Sequence, residues 1–455
     1  MIYLTRFIME FKEFKDLLFK KSKEEGFTEC EIYYIDRESL SITIYQEEVD
    51  KYNLNKTFGL SFRGKIDNKM GYSYTEILDE EAVGMLVKNA KAGAKAIESE
   101  DIQFIYEGDT QYSEVDSYSK DLENIENEKL IKLGLDMERE ARVYSQKVVN
   151  IGGCNIGYGS SNYGIYNTKG LQLTNKSNLL TAYITSIVED NGNKYDGTGY
   201  VTATSIDQVN PKKIAKEGVE EALARIGGKS IPSGKYKTII FNEAMVSLIG
   251  AFIGIFDGDA AQKGFSLLKG KEGEKIASDI LTIVDDPLLK GGLASTSFDD
   301  EGVATYKKDI ISKGVLNTLL HNLKTANKAG IKTTGNGFKG SYASPVGISS
   351  TNFYIENGKK SLEELMEEVS EGLIVTDLAG LHSGANSITG DFSLAAKGFY
   401  IEKGKKSFPV EQITVAGNYF DLLKDIQEIG NDLKFPMSSI GSPSILLKEL
   451  AIAGK

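Results

Sequence analysis

The sequence predicts an α+β fold: a helix–β-meander–helix N-terminal region, then a mixed, sheet-rich α+β C-terminal domain. Three observations carry that expectation. Runs rich in β-branched and aromatic residues are bounded by Gly, Asn and Asp turn signals. Segments of helical periodicity stand before and after those runs. In the second half, strands and helices mix without strict βαβ alternation, which argues against a parallel α/β sheet. At 455 residues the chain is too long for one simple core, and it divides into spans 1–115, 116–228 and 229–455.

In the first span Phe11, Phe14, Leu17 and Leu18 share one helical face, and Gly26 ends that helix. "CEIYYID", "LSITIYQEEV", "TFGLSFRG" and "KMGYSYTE" follow as β runs, and "EEAVGMLVKNAKAGAKAI" returns to helical periodicity. The second span repeats this order. A helix runs through "NEKLIKLGLDMEREARVY", and a meander from Lys147 to Ser205 turns at "DNGN". Asn210 then caps a helix that has Pro211 at its first position and Ala215, Val219, Ala222, Leu223 and Ile226 as its inward stripe. The shared order points to an architectural repeat, and "GGKSIPSGK" (227–235) reads as the linker that follows.

In the third span "YKTIIFNE" is a strand entering an apolar helix from Ala244 to Phe256. "ILTIVDDP" is a strand ending in a turn. "ATYKKDIISKGVLNTLL" is a hairpin running into a helix with Leu316, Leu319, Leu320 and Leu323 on its core face. Ser361 and Glu364 form a capping box ahead of Leu362, Leu365, Met366 and Val369. "SITGDFSLAAKGFYIEKGKKSFPVEQITVAGN" (387–418) contains a β-hairpin over 391–410 that turns at "KGK".

Composition narrows the function classes. There are 53 Lys and Arg against 65 Asp and Glu, a formal charge of −12, with no basic block. Such a surface repels phosphate backbones, which argues against direct nucleic-acid binding. The apolar stretch Ala244–Phe256 is too short for a bilayer, which needs roughly 20 residues. The opening "MIYLTRFIMEFKEF" does not read as a signal peptide, since Thr5 and Arg6 break its apolar run, and Met9 is an alternative start. The two cysteines, Cys30 and Cys154, suggest no disulfide framework and fit a reducing cytoplasm.

The chemistry-bearing residues form no catalytic pattern. A catalytic zinc takes three protein ligands, but His321 and His382 have no second His or Cys at ligand spacing. The plain reading of His321 is a solvated or cap-side histidine, and the Gly-rich turn "AGLHSGAN" places His382 on the surface. The acid groups Asp285–Asp286 and Asp299–Asp300–Glu301 could bind a cation or share a proton. Before Pro287 and Gly302, they read first as turn residues. "GNGFKG" (335–340) matches GxGxxG, but a helix precedes it and a proline-containing β-type run follows, so it is a loop rather than a dinucleotide site. In the hairpin, Ser393, Ala395, Ala396 and Gly398 let another backbone approach closely, either a packed strand or an extended peptide. Asp391 reads as a turn cap.

Taken together, "TANKAGIKTTGNG", "LIVTDLAG", the 387–418 stretch and "NDLKFPM" resemble the TldD/PmbA family, once named modulators of DNA gyrase, and within it the PmbA or TldE branch. The resemblance implies a cytoplasmic heterodimeric metallopeptidase acting on unstructured peptides, with HExxxH and a late Cys as metal ligands in the TldD-type subunit only. Two registers can be set against HExxxH here. One puts Ile249 and Gly254 at the histidines and Gly250 at the glutamate; the other puts Asn242 and Ser247 at the histidines and retains Glu243. Neither supplies an imidazole, and no Cys lies in the C-terminal half.

The expected function is therefore a PmbA/TldE-like subunit without its own metal site. Its zinc would reside in a TldD-like partner, with homodimers possible in isolation and no membrane or nucleic-acid partner. No catalytic or metal-binding residue is assigned. Thr389, Gly390, Asp391, Ser393, Ala396 and Gly398 are candidates for a peptide groove or subunit interface. The alternatives are a stand-alone peptidase using a carboxylate site such as Asp285, Asp286 or Asp299 with a borrowed cation, and a gyrase-interacting protein.

Overall fold

A computed structural model of the chain describes residues 9–98 and 103–455. The segment 1–8, on which the leader reading turns, lies outside the described residues. Helix α1 (Phe11–Glu24), strands β1 (Glu29–Tyr45), β2 (Glu48–Ile66) and β3 (Lys69–Thr75), and helix α2 (Glu80–Ala96) form one helix–meander–helix unit. Helix α3 (Asn127–Tyr144), strands β4 (Val148–Asn167), β5 (Gln172–Asp190) and β6 (Asn193–Ala203), and helix α4 (Pro211–Ala224) form a second. All six strands join in one sheet, ordered β3-β2-β1-β4-β5-β6. The units meet along β1 and β4, from Glu31↔Asn167 to Thr43↔Asn155, so residues 115 and 116 fall between strands of a single sheet.

Strand alternation decides which face the helices cover. Ile32, Leu40, Ile42 and Ile44 of β1 point one way. Ile32 lies in a core with Phe14, Leu18 and Leu86, and the other three with Leu130, Met137 and Val219. Tyr33 and Ile35 point the other way and meet Phe298 from the C-terminal half. "CEIYYID" and the first part of "LSITIYQEEV" are one continuous strand, because the chain reverses only at Gln46 and Glu47, both at positive φ.

The C-terminal half runs through β7 (Gly234–Ile240), α5 (Asn242–Phe252), α6 (Gly258–Gln262), β8 (Ile283–Asp285), β9 (Lys308–Ser312), β10 (Val315–Leu316) and α7 (Leu323–Ala329). It continues with β11 (Gly337–Lys339), β12 (Val346–Ile348), β13 (Phe353–Ile355), α8 (Leu362–Val369), β14 (Glu371–Ala379) and α9 (Leu381–Gly384). The last elements are β15 (Asp391–Glu402), β16 (Lys405–Asn418), α10 (Tyr419–Lys424), β17 (Ile426–Ile429), β18 (Ile440–Gly441) and β19 (Ile445–Ala453). One sheet is ordered β16-β15-β14-β7-β19-β17, and it closes on itself because β16 also pairs with β19 through Thr414–Ala416 and Ala451–Ala453. A second sheet, β10-β9-β8-β13-β18, and the β11–β12 ribbon stand beside it.

The apolar helix lies in this core. Ala244, Met245, Leu248, Ile249 and Phe252 are buried, and Phe252 stacks on Tyr419 with ring centroids 4.5 Å apart. It is shorter than expected, since α5 ends at Phe252 and Ile253–Phe256 tighten into a 3₁₀ turn. The helix expected at Leu316–Leu323 is not formed. Leu316 belongs to β10, and Leu319 and Leu320 are buried in extended chain whose Leu320 backbone exchanges hydrogen bonds with Phe256 and Gly258. Helix α7 begins only at Leu323, where the Asn322 side chain caps it. A short apolar run can be buried in either backbone form, so periodicity alone does not separate them.

Candidate functional site

Three places bear on function: the outer face of α5, the hairpin β15–β16, and the cleft between the N-terminal sheet and the C-terminal half. Glu243, Ser247 and Gly250 on α5, and Gly254 in the 3₁₀ turn that follows, lie outside the buried face. In the register that retains Glu243, Asn242 donates its amide to the Asp432 carbonyl and carboxylate at 3.1 and 3.2 Å. Glu243 accepts from Tyr200 at 2.8 Å and Lys434 at 2.6 Å, and Ser247 donates back to the Glu243 carbonyl. In the other register Ile249 is fully buried, whereas Gly250 and Gly254 are exposed. A Cβ at Gly254 would meet nothing within 4 Å, and one at Gly250 only Ile440 at 3.6 Å. The backbone has room for larger side chains there; metal donors are what it lacks. A hydrolytic zinc requires three ligands and an open position for water, and these residues do not fit that set. Among the described residues, no group of three or more His, Cys, Asp and Glu side chains could hold a metal ion.

The hairpin residues split into two groups. Thr389, Asp391 and Ser393 are exposed, whereas Gly390, Ala396 and Gly398 are buried. Strand β15 is paired on both edges, with β14 and with β16, so its own backbone offers no free ladder to an incoming peptide. At Gly398 a Cβ would stand 1.9 Å from the Ile374 carbonyl oxygen, so glycine there serves close strand contact at a bulge. Asp391 accepts from Asn418 at 3.0 Å, and that hydrogen bond holds its carboxyl below the usual range. His382 is exposed.

His321 is a correction: it is buried, not solvated. Its Nδ1 lies 3.1 Å from the Thr325 hydroxyl, and burial pushes its pKa down. Nor are the acid groups plain surface turns. Asp285, Asp286, Asp299, Asp300 and Glu301 are all buried. Asp285 accepts from Lys308 at 3.0 Å, Asn336 at 2.9 Å, and the Thr351 amide and hydroxyl at 2.6 and 2.9 Å. Asp299 accepts from the amides of Glu301, Val303 and Gly337. Asp300 takes the Lys339 amide and Glu301 the Leu323 amide. The "GNGFKG" loop thus cradles carboxylates of its own chain with the backbone amides that a nucleotide loop would turn toward phosphate.

This cluster fastens the two halves together. Arg63 of β2 pairs with Glu31, directly opposite on β1, at 2.6 Å and reaches Glu301 at 3.6 Å. Lys339 donates to Ser61 at 3.0 Å, Tyr112 to the Gly302 carbonyl at 2.8 Å, and the Ala304 amide to Asp109 at 2.7 Å. Beside the fastening opens a cleft of about 1070 Å³ between the sheet face and the C-terminal half. Its charged lining is balanced, with Arg37, Lys120, Lys290 and Lys339 against Glu38, Asp116, Asp121 and Asp300, and hydroxyl and amide side chains fill much of the rest. Asp300 is raised to about 6 by burial, and Lys339 is lowered to about 8 by burial and the nearby Arg63. Balanced charge disfavours a polyanion, and rows of donors and acceptors suit an amide-rich chain. Arg63 and Lys339 escaped the sequence reading, and Asp300 was read first as a turn residue. Charged residues inside the strand runs "CEIYYID" and "TFGLSFRG" were the available signal.

In this chain a two-unit antiparallel sheet is fused to a closed sheet packed around α5. Three models of the PmbA/TldA metallopeptidase match in chain order: domain 1 over 30–94, the central domain over 120–226 and the C-terminal domain over 233–454. The chain belongs to the TldD/PmbA family. Metalloprotease PmbA of Escherichia coli O157:H7 is 28% identical over 428 residues, 91% of this chain and 90% of that one. A crystal structure from Thermotoga maritima, described as a proposed modulator of a DNA gyrase, matches with a TM-score of 0.91 and 34% identity, covering 98% of this chain and 100% of that one. TldE from Thermococcus kodakarensis shares the fold at a TM-score of 0.89 and 23% identity, covering 97% and 100%. Among the described residues, no helix is long and apolar enough to cross a membrane.

Proposed function

We propose that this chain is a PmbA/TldE-type subunit of a cytoplasmic TldD/TldE metallopeptidase. It contributes peptide-holding surface, while a TldD-like partner holds the zinc and cleaves unstructured peptides. The observation that carries this is α5: in either register its motif positions hold amide, hydroxyl, aliphatic or glycine residues, and Glu243 is committed to Tyr200 and Lys434. The charge-balanced cleft supports the peptide as ligand, because backbone amides demand donors and acceptors rather than net charge. The exposed Thr389, Asp391 and Ser393 are then candidates for subunit contact.

Metal analysis and peptide cleavage by the chain alone, and after co-expression with a TldD-like protein, test this. We expect cleavage of an unfolded peptide only in the mixed complex, with zinc at one per heterodimer. Stoichiometric zinc in the lone chain, or chelator-sensitive cleavage by it, would overturn the assignment.

A further inference from the structure

We propose that a second, smaller pocket beside Arg63 binds a single apolar residue of a peptide through an uncharged carbonyl oxygen. Arg63 is 4% exposed. Its Nε is taken by Glu31, its Nη1 faces Glu301 and Tyr72 stands beside the guanidinium, but among the described residues its buried Nη2 has no hydrogen-bond partner. A buried donor left unpaired is costly, and buried polar groups are paired in nearly all native structures. Against this guanidinium lies a cavity of about 200 Å³, at the seam between the N-terminal sheet and the C-terminal half.

The walls decide what fills it. Met70, Ile97, Phe104, Leu323, Pro345 and Val346 make its apolar side, and Arg63, Tyr72, Gln103, Glu301, Asn322 and Lys324 its polar side. Ordered water satisfies the polar side but leaves the apolar side without a partner. A compact apolar body with one acceptor fits better. Charge then selects the acceptor. Arg63 is already faced by Glu31 and Glu301, and Lys324 on the same lining is paired with Asp259 at 3.7 Å, so an incoming carboxylate would meet Glu301 as well as the guanidinium. A neutral amide carbonyl accepts from Nη2 without that repulsion. Naming a peptide as the source of that carbonyl rests on the peptide-handling function proposed above; the preference for an uncharged carbonyl does not.

The test uses the full-length chain alone, with N-acetyl-L-leucinamide as probe and saturation-transfer NMR titration as readout. We expect saturable binding, at least tenfold weaker for N-acetylglycinamide, which lacks the apolar body, and at least tenfold weaker for isovalerate, which has the body but carries charge. Val346→Trp, at a half-buried residue of the β11–β12 ribbon, fills the pocket and should abolish binding. Ile97→Trp, at another lining residue, serves should the first variant fold poorly by circular dichroism. Isovalerate binding as tightly as the blocked residue would overturn the neutral-carbonyl assignment. Absence of saturable leucinamide binding to the wild-type chain, with water alone at Nη2, would overturn the site. Either failure leaves the mixed-complex zinc and cleavage result standing, so the two proposals fail separately.

Discussion

At the scale of single residues, the chain uses small side chains and buried charges for structure more than for chemistry. Gly398 makes this testable. A methyl there must displace the Ile374 carbonyl, so Gly398→Ala should lose about 1–3 kcal/mol in urea unfolding. Ser393→Ala, at an exposed position on the same strand, should stay within about 0.5 kcal/mol of wild type. Asp300 gives a pH signature. Burial disfavours its charged form, so its contribution to stability is fully present below pH 3.8 and is lost as pH rises through about 6. At about 1.4 kcal/mol per pKa unit, that window is worth about 3 kcal/mol at most. Asp300→Asn keeps an acceptor for the Lys339 amide and cannot ionise. Its unfolding free energy should therefore vary less than that of wild type across this window, by urea titration at several pH values.

At the scale of elements, α5 shows how one helix can hold a fold while its outer stripe varies. Its inner face supplies Phe252, stacked on Tyr419, whose buried hydroxyl has no partner among the described residues. Tyr419→Phe removes that unpaired hydroxyl and keeps the ring, so the melting temperature should rise, reflecting about 1 kcal/mol of added stability. Some elements were readable in advance for local reasons. The Asn210–Pro211 start of α4 and the Ser361–Glu364 capping box are made by residues adjacent in sequence. The supposed 316–323 helix was not, because Leu320 is held in extended chain by backbone hydrogen bonds to Phe256 and Gly258, far away in the chain.

At the scale of the whole molecule, the two halves are joined through buried charge rather than through an apolar seam alone. Arg63→Met leaves the carboxylates of Glu31 and Glu301 buried without their cation. Breaking such a network should cost about 3–5 kcal/mol in chemical denaturation. It should also raise hydrogen exchange first at the Asp109 and Ala304 amides, which donate to the Tyr112 hydroxyl and the Asp109 carboxylate at the same seam.

Read alone, the chain specifies its α+β class, the twofold helix–meander–helix order, the hairpin turning at Lys403–Gly404 and the lack of histidines at the α5 motif. Each follows from local periodicity, turn chemistry or residue identity. Only folding decided that the two meanders share one sheet, that β15 has no free edge, and that five acids assigned to turns lie buried against amides, a lysine and an arginine. Those outcomes depend on partners distant in sequence, and burial, which gives a carboxylate or a guanidinium its meaning, is a property of the packed chain.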